Sequence, residues 1–89
     1  MGYWILLHPK ANAYLEEVDD NLRGRIRERL LTLGEDPKRG TRLKHSEFWR
    51  LRIGDYRAIY EIDHLKKRVI VLFIGHRRDV YDDFSRILW

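Results

Sequence analysis

The sequence predicts an α+β domain, with a two-helix hairpin packed on one face of a mostly antiparallel sheet. Three observations carry this. Apolar residues recur at helical spacing from Ala11 to Leu33, the period changes to two from Phe48 onward, and an unbroken apolar run follows at Val69 to Ile74. Eighty-nine residues suit a single domain, 1–89, with a thin core, because a chain this short buries roughly 60–65% of its unfolded surface.

The order of elements follows from local signals. Tyr3 to Leu7 are uninterrupted aromatic and aliphatic residues ending at His8-Pro9, which reads as a strand feeding a helix with Pro9 in its first turn. Ala11, Tyr14, Leu15 and Val18 mark a short first helix. Asp19-Asp20-Asn21 breaks the pattern and supplies a cap, after which Leu22, Ile26, Leu30 and Leu33 carry a second helix to Gly34. Glu35 to Gly40, with Pro37 at its centre, is loop. With Gly54-Asp55 as a two-residue turn, Leu51, Ile53, Tyr56, Ala58, Tyr60 and Ile62 share one face of a hairpin, pairing Ile53 with Tyr56, Arg52 with Arg57 and Leu51 with Ala58. The loop Asp63 to Lys67 leads into Val69 to Ile74, a central strand buried on both faces. The result is an N-terminal strand, a helical hairpin and a three-stranded antiparallel segment, followed by a short tail from Val80 to Trp89 that is open to a helical reading.

Composition narrows the function classes. The longest apolar run is too short to span a membrane, and Met1 to His8 lacks the basic leader and cleavage site of a signal peptide. The absence of cysteine removes disulfides and thiolate metal sites and fits a cytoplasmic protein. His8, His45 and His64 lack metal-ligand spacing, and there is no Gly-rich phosphate loop, so no metal or other cofactor is expected. The formal charge is +4, yet Lys38 to Arg57 alone holds seven basic and two acidic residues. The excess is therefore concentrated, and a polyanion is the natural partner. Lys38, Arg39, Arg42, Lys44, His45 and Arg78 are candidate contacts to that polyanion. Trp4 and Trp49 are expected in the core or at a sheet edge rather than as stacking platforms.

The register that puts Leu51 and Ile53 in the core gathers Arg50, Arg52 and Arg57 on the opposite face. Two arginines directly across a strand pair repel, so the arrangement costs stability unless something anionic sits there. Arginine suits phosphate, being always charged and able to donate two parallel hydrogen bonds. At the exit of the last strand, Gly75-His76-Arg77-Arg78-Asp79-Val80-Tyr81 presents an imidazole, two guanidiniums and a phenol, placed to swing over the sheet face. These residue types suit RNA cleavage by its own 2′-hydroxyl, which needs a proton acceptor, cations for the phosphorane and an acid for the leaving oxygen. Of them, His76 alone has an unperturbed pKa near neutrality. Arg23, Arg25, Arg27 and Arg29 punctuate the second helix, as a solvated face or as a docking surface for an acidic partner helix.

The segment Phe48-Trp49-Arg50-Leu51-Arg52-Ile53-Gly54-Asp55-Tyr56-Arg57-Ala58-Ile59-Tyr60, followed by His76-Arg77-Arg78-Asp79-Val80-Tyr81, resembles the RelE/ParE toxin superfamily of type II toxin-antitoxin systems. Strand order and helical hairpin match as well, so the resemblance covers nearly the whole chain. It implies a RelE-like fold and a metal-independent endoribonuclease that cleaves messenger RNA in the ribosomal A site, inhibits translation and is restrained by a RelB-like antitoxin. The alternative is a non-catalytic inhibitor of the ParE type, acting on DNA gyrase or another macromolecule. Carried over by position, the catalytic set is Arg50, Arg52, Arg57, His76, Arg77 and Tyr81. Arg50 stands where the best-known ribonuclease members have lysine, and an arginine does not act as a general base. Glu47 and His76 are then the candidates for proton transfer, with His76 preferred.

Overall fold

The structure, a computed structural model, describes residues 2–78. Strand β1 (Trp4–Leu7) leads into helix α1 (Pro9–Glu17) and helix α2 (Asp20–Glu35). A 3-10 turn (Pro37–Arg39) and strands β2 (Thr41–Arg42), β3 (Phe48–Ile53), β4 (Tyr56–Asp63) and β5 (Arg68–His76) follow. The sheet runs β1-β5-β4-β3-β2, with β1 parallel to β5 and the other neighbours antiparallel. The fold class is the α+β arrangement expected, with one addition. The segment after the helices holds four strands, because Thr41 and Arg42 pair with Arg50 and Trp49. Two exposed polar residues carry no period from which such a strand is read. The tail expected from Val80 to Trp89 lies outside the described residues.

Capping explains where the helices begin. His8 Nδ1 accepts from the Lys10 N–H at 3.2 Å ahead of Pro9, and Asp19 Oδ1 accepts from the Leu22 N–H at 2.8 Å. Only Val18 and Asp19 separate the helices, and Arg23 closes the joint. Its guanidinium donates to the carbonyls of Leu15 (2.8 Å), Glu16 (3.1 Å) and Val18 (2.8 Å), satisfying acceptors that the end of α1 leaves unpaired. Arg23 is thereby withdrawn from the solvated row in which the sequence sets it.

The core lies between the helices and one face of the sheet. Ala11, Leu15, Ile26, Leu30 and Leu33 pack against Leu51, Ile53, Ala58, Tyr60, Val69, Val71 and Ile74. Burying each large aliphatic side chain contributes roughly 1.5–3 kcal/mol, which holds the helices to the sheet. A smaller cluster on the far face joins Ile59 and Phe73 with Leu43, Phe48 and Leu72, so β5 is buried on both sides, as its apolar run predicts. Trp4, by contrast, is exposed on the edge strand, and Trp49 is half-buried, stacked on Tyr60 with ring centroids 6.3 Å apart.

One irregularity matters for the site. The pairing of β4 with β5 shifts between Ile59 and Tyr60, so that Ile59 faces Phe73 while Tyr60 faces Val71, and Leu72 is an extra residue on β5. Such a bulge reverses the alternation of side chains beyond it. Ile74 and His76 consequently turn toward the helices, and Phe73 and Gly75 toward the far face.

Candidate nucleic-acid interface

Strands β3 and β4 meet in the turn Gly54-Asp55, where Gly54 takes a φ of 60°, a conformation that costs glycine nothing. The register is the one the sequence predicts: Ile53 opposite Tyr56, Arg52 opposite Arg57, Leu51 opposite Ala58. With Leu51, Ile53 and Ala58 in the core, Arg50, Arg52 and Arg57 emerge on the face away from the helices. Arg57 is held in place by its Nη1, which donates to the carbonyls of Gly54 and Tyr56, each at 3.0 Å. Neutral carbonyls orient a guanidinium without cancelling its charge.

These three arginines line a cleft of about 360 Å³ at the edge of β3 together with Leu51, with Arg39, Gly40 and Thr41, and with Arg29 of α2. Among the described residues, five that bear guanidiniums line this cavity and none that lines it is acidic. Like charges gathered this way raise each other's energy, and an anion bound among them relieves it.

The cleft keeps its shape through Tyr60. The ring is fully buried, and its hydroxyl donates to the Pro37 carbonyl at 2.7 Å and accepts from the Gly40 N–H at 3.1 Å. Burial pushes the phenol pKa above its ordinary value, reinforced by Asp36 and opposed by the Gly40 N–H, so the hydroxyl remains a donor at neutral pH. This hydroxyl ties the 3-10 turn, and with it Arg39, to the middle of the sheet. Gly40 approaches so closely that a Cβ there would collide with the Arg50 carbonyl.

The other predicted contacts divide. Lys38 and Arg42 line a neighbouring cleft of about 320 Å³ with Glu47, Trp49, Glu61 and His64. Lys44 and His45 occupy the turn before β3, His45 with a φ of 59°. Glu47 precedes the strand whose far end carries Arg52, roughly 16 Å along an extended backbone. The structure therefore does not bring Glu47, Lys44 and His45 into the arginine cleft.

His76 requires a correction in its placement. The sequence places its imidazole with the arginines, but it stands opposite Tyr56 on the helix-facing side, ring centroids 5.5 Å apart and edge-on. The residue in line with Arg57 is Gly75. The bulge at Leu72 is the cause, since in a regular strand His76 would share the face of the arginines. Its Nδ1 accepts from the Arg78 N–H at 3.3 Å. Arg77 leaves the strand beside the hairpin turn, its N–H donating to the Asp55 carbonyl at 2.8 Å, and both Arg77 and Arg78 are exposed. Tyr81 lies outside the described residues.

Arg29 is the site residue that sequence reasoning missed. Arginines at every second position of a helix point in different directions, so their spacing selects none of them. The structure separates them: Arg23 caps α1, Arg25 and Arg27 are exposed, and Arg29 is half-buried against the β3 edge, its Nη2 donating to the Arg52 carbonyl at 3.2 Å.

Comparison with known proteins agrees with this architecture. Residues 5–81 match the family model described as the ParE toxin of the type II toxin-antitoxin system parDE. No curated protein matches the sequence. Among solved structures, a mutant of the Escherichia coli toxin RelE in the free state aligns over 100% of both chains, with a TM-score of 0.78 and 19% identity. A chain of the RelBE2 toxin-antitoxin complex of Mycobacterium tuberculosis aligns at 0.76 and 23% identity, over 86% of this chain and 100% of that one. One from the archaeal RelE-RelB complex of Pyrococcus horikoshii OT3 aligns at 0.75 and 23%, over 90% and 100%. At these identities the structural likeness establishes the fold.

Proposed function

The chain belongs to the ParE toxin family of type II toxin-antitoxin systems, within the RelE/ParE superfamily, and from that premise we propose that it is an endoribonuclease acting on messenger RNA in the ribosomal A site. The single observation that carries this reading is the cleft in which Arg29, Arg39, Arg50, Arg52 and Arg57 meet with no acidic residue among the described residues that line it. In the proposed reaction, the ribose 2′-oxygen attacks the adjacent phosphorus and loses its proton as the new P–O bond forms. The bond to the 5′-oxygen breaks, and that oxygen takes up a proton. Between these events the phosphorane carries additional negative charge, which fixed guanidiniums stabilise without reorganisation. Arg52 and Arg57 are the residues proposed to meet that charge, with Arg50 and Arg77 beside them. His76 and Tyr81 are the proposed proton carriers, His76 from the helix-facing side of the sheet's end.

A cognate RelB-like antitoxin is the proposed partner. Its support is that RelE-fold chains similar to this one occur in complexes with RelB antitoxins. The cytoplasm, where ribosomes translate, is the proposed place of action.

One observation favours a second reading. His76 lies on the face opposite Arg57, leaving no described side chain with a near-neutral pKa in the cleft, an arrangement that suits a non-catalytic inhibitor of the ParE type. Purified chain, freed of antitoxin, added to translating ribosomes decides between them. The expected result is new mRNA 3′ ends bearing a 2′,3′-cyclic phosphate or its 3′-phosphate hydrolysis product, formed equally in chelator titrated to leave the ribosomes intact. Translation arrest with unbroken mRNA would establish the inhibitor reading instead, and loss of cleavage in chelator would exclude the metal-independent mechanism.

A further inference from the structure

The described lining of the arginine cleft holds more guanidiniums than one phosphodiester requires, and they come from different elements. Arg50, Arg52 and Arg57 belong to the sheet, while Arg29 and Arg39 come from α2 and the 3-10 turn. The reason they meet is the brevity of β2. It pairs with β3 only at Trp49 and Arg50, so the outer edge of β3 from Leu51 onward lacks a strand neighbour, and Arg29 bonds the Arg52 carbonyl there. That bond uses one of five guanidinium N–H groups and a neutral acceptor, so Arg29 keeps its charge and donors for a ligand. Tyr60 and Gly40 hold the opposite side at a set distance.

A phosphodiester bears a single charge, and one bidentate arginine pair satisfies its non-bridging oxygens. We propose that Arg29 and Arg39 form a second phosphate subsite, gripping the phosphate next to the scissile one, so that the cleft engages two consecutive phosphodiesters of a single-stranded RNA. This rests on the reading of the cleft as an RNA site. Arg29 is a binding and positioning residue in it, whereas Arg52 and Arg57 face the reacting phosphate.

Binding of 2′-O-methyl oligonucleotides, which lack the attacking hydroxyl, tests the subsite apart from chemistry. With a ten-nucleotide strand, Arg29→Gln is expected to weaken binding roughly 10-fold or more, the usual worth of a charge-assisted hydrogen bond. The slope of log affinity against log salt should fall by about 0.7, one phosphate contact on a single strand. Arg29→Lys should restore the slope. Arg39→Gln, at an exposed position, provides an independent variant with the same expectation. The decisive comparison is between a dinucleotide with one phosphate and a trinucleotide with two. The variants should match the parent on the first and fall behind on the second. Equal losses on both would place Arg29 at the scissile phosphate and overturn the second subsite, as would unchanged affinity and slope on the longer strand while Arg52→Ala weakens it. A parent chain with no affinity for any of these RNAs would instead overturn the RNA reading, and the subsite with it.

Discussion

Arg52→Ala is expected to slow RNA cleavage by roughly 10²–10³-fold, the usual effect of removing one donor from a preorganised charge-stabilising site, while leaving the melting temperature unchanged or raising it. The stability half follows from the register. Arg52 and Arg57 stand directly opposite each other on one face, and a like-charged pair in that position costs about 0.2–1 kcal/mol. Arg52 is exposed, and the bond it provides to Arg29 uses its backbone carbonyl, which alanine retains. For a domain of this size each kcal/mol corresponds to about 4–8 °C, so the rise is about 8 °C at most. Cleavage assays and thermal unfolding on the same preparation check both halves. A variant that is fully folded and fully active would remove Arg52 from the mechanism, and one that unfolds would make the residue structural. His76→Gln supplies the contrast, and cleavage is expected to fall less than in Arg52→Ala, because the bulge at Leu72 turns the imidazole toward Tyr56 and away from the arginine face. A greater loss in His76→Gln would mean that the strand end rearranges when RNA binds.

The second large effect is expected at a position with no functional group. Gly40→Ala should destabilise the fold by roughly 2–3 kcal/mol, the upper part of the range for overpacking a closed site, lowering the melting temperature by about 10–20 °C. The added Cβ would collide with the Arg50 carbonyl and sit 2.7 Å from the Tyr60 hydroxyl. Neither neighbour can yield easily: one belongs to a strand paired on both sides at that residue, and the other is fully buried and bonded twice. Relief requires the 3-10 turn to move outward, carrying Arg39 with it and opening the cleft. Gly24→Ala is the control. Gly24 lies inside α2 with open space around it, so alanine there should stabilise the chain by about 1 kcal/mol. Denaturant unfolding of the three proteins measures the differences. If Gly40→Ala proves as stable as the parent, the turn is not locked to β3 and the cleft is not preformed.

Much of this molecule is legible without coordinates, and the legible part has a common character. The helices, their caps and the hairpin turn follow from local chemistry: Asp19 ahead of a helical repeat, Pro9 at a first turn, and glycine where φ is positive. The pairing of Arg52 with Arg57 is equally local, because a two-residue turn fixes register and register fixes faces. The sequence by itself therefore determined the fold class and the sheet-borne arginine cluster.

Tertiary structure decided everything that depended on parity or on distant segments. One extra residue in β5 reversed the alternation beyond Leu72 and carried His76 to the helix side, and nothing in the run Val69-Ile70-Val71-Leu72-Phe73-Ile74 marks the bulge, since every residue there is apolar. Tyr60, which alternation alone describes as a core residue, became the tie between the sheet and a turn more than twenty residues earlier. Arg29 differs in no local respect from Arg25 or Arg27; only the packing of α2 beside the uncovered edge of β3 turned it into the cleft. Periodicity records which face of its own element a residue occupies, whereas a site assembled across elements depends on contacts between segments far apart in the chain.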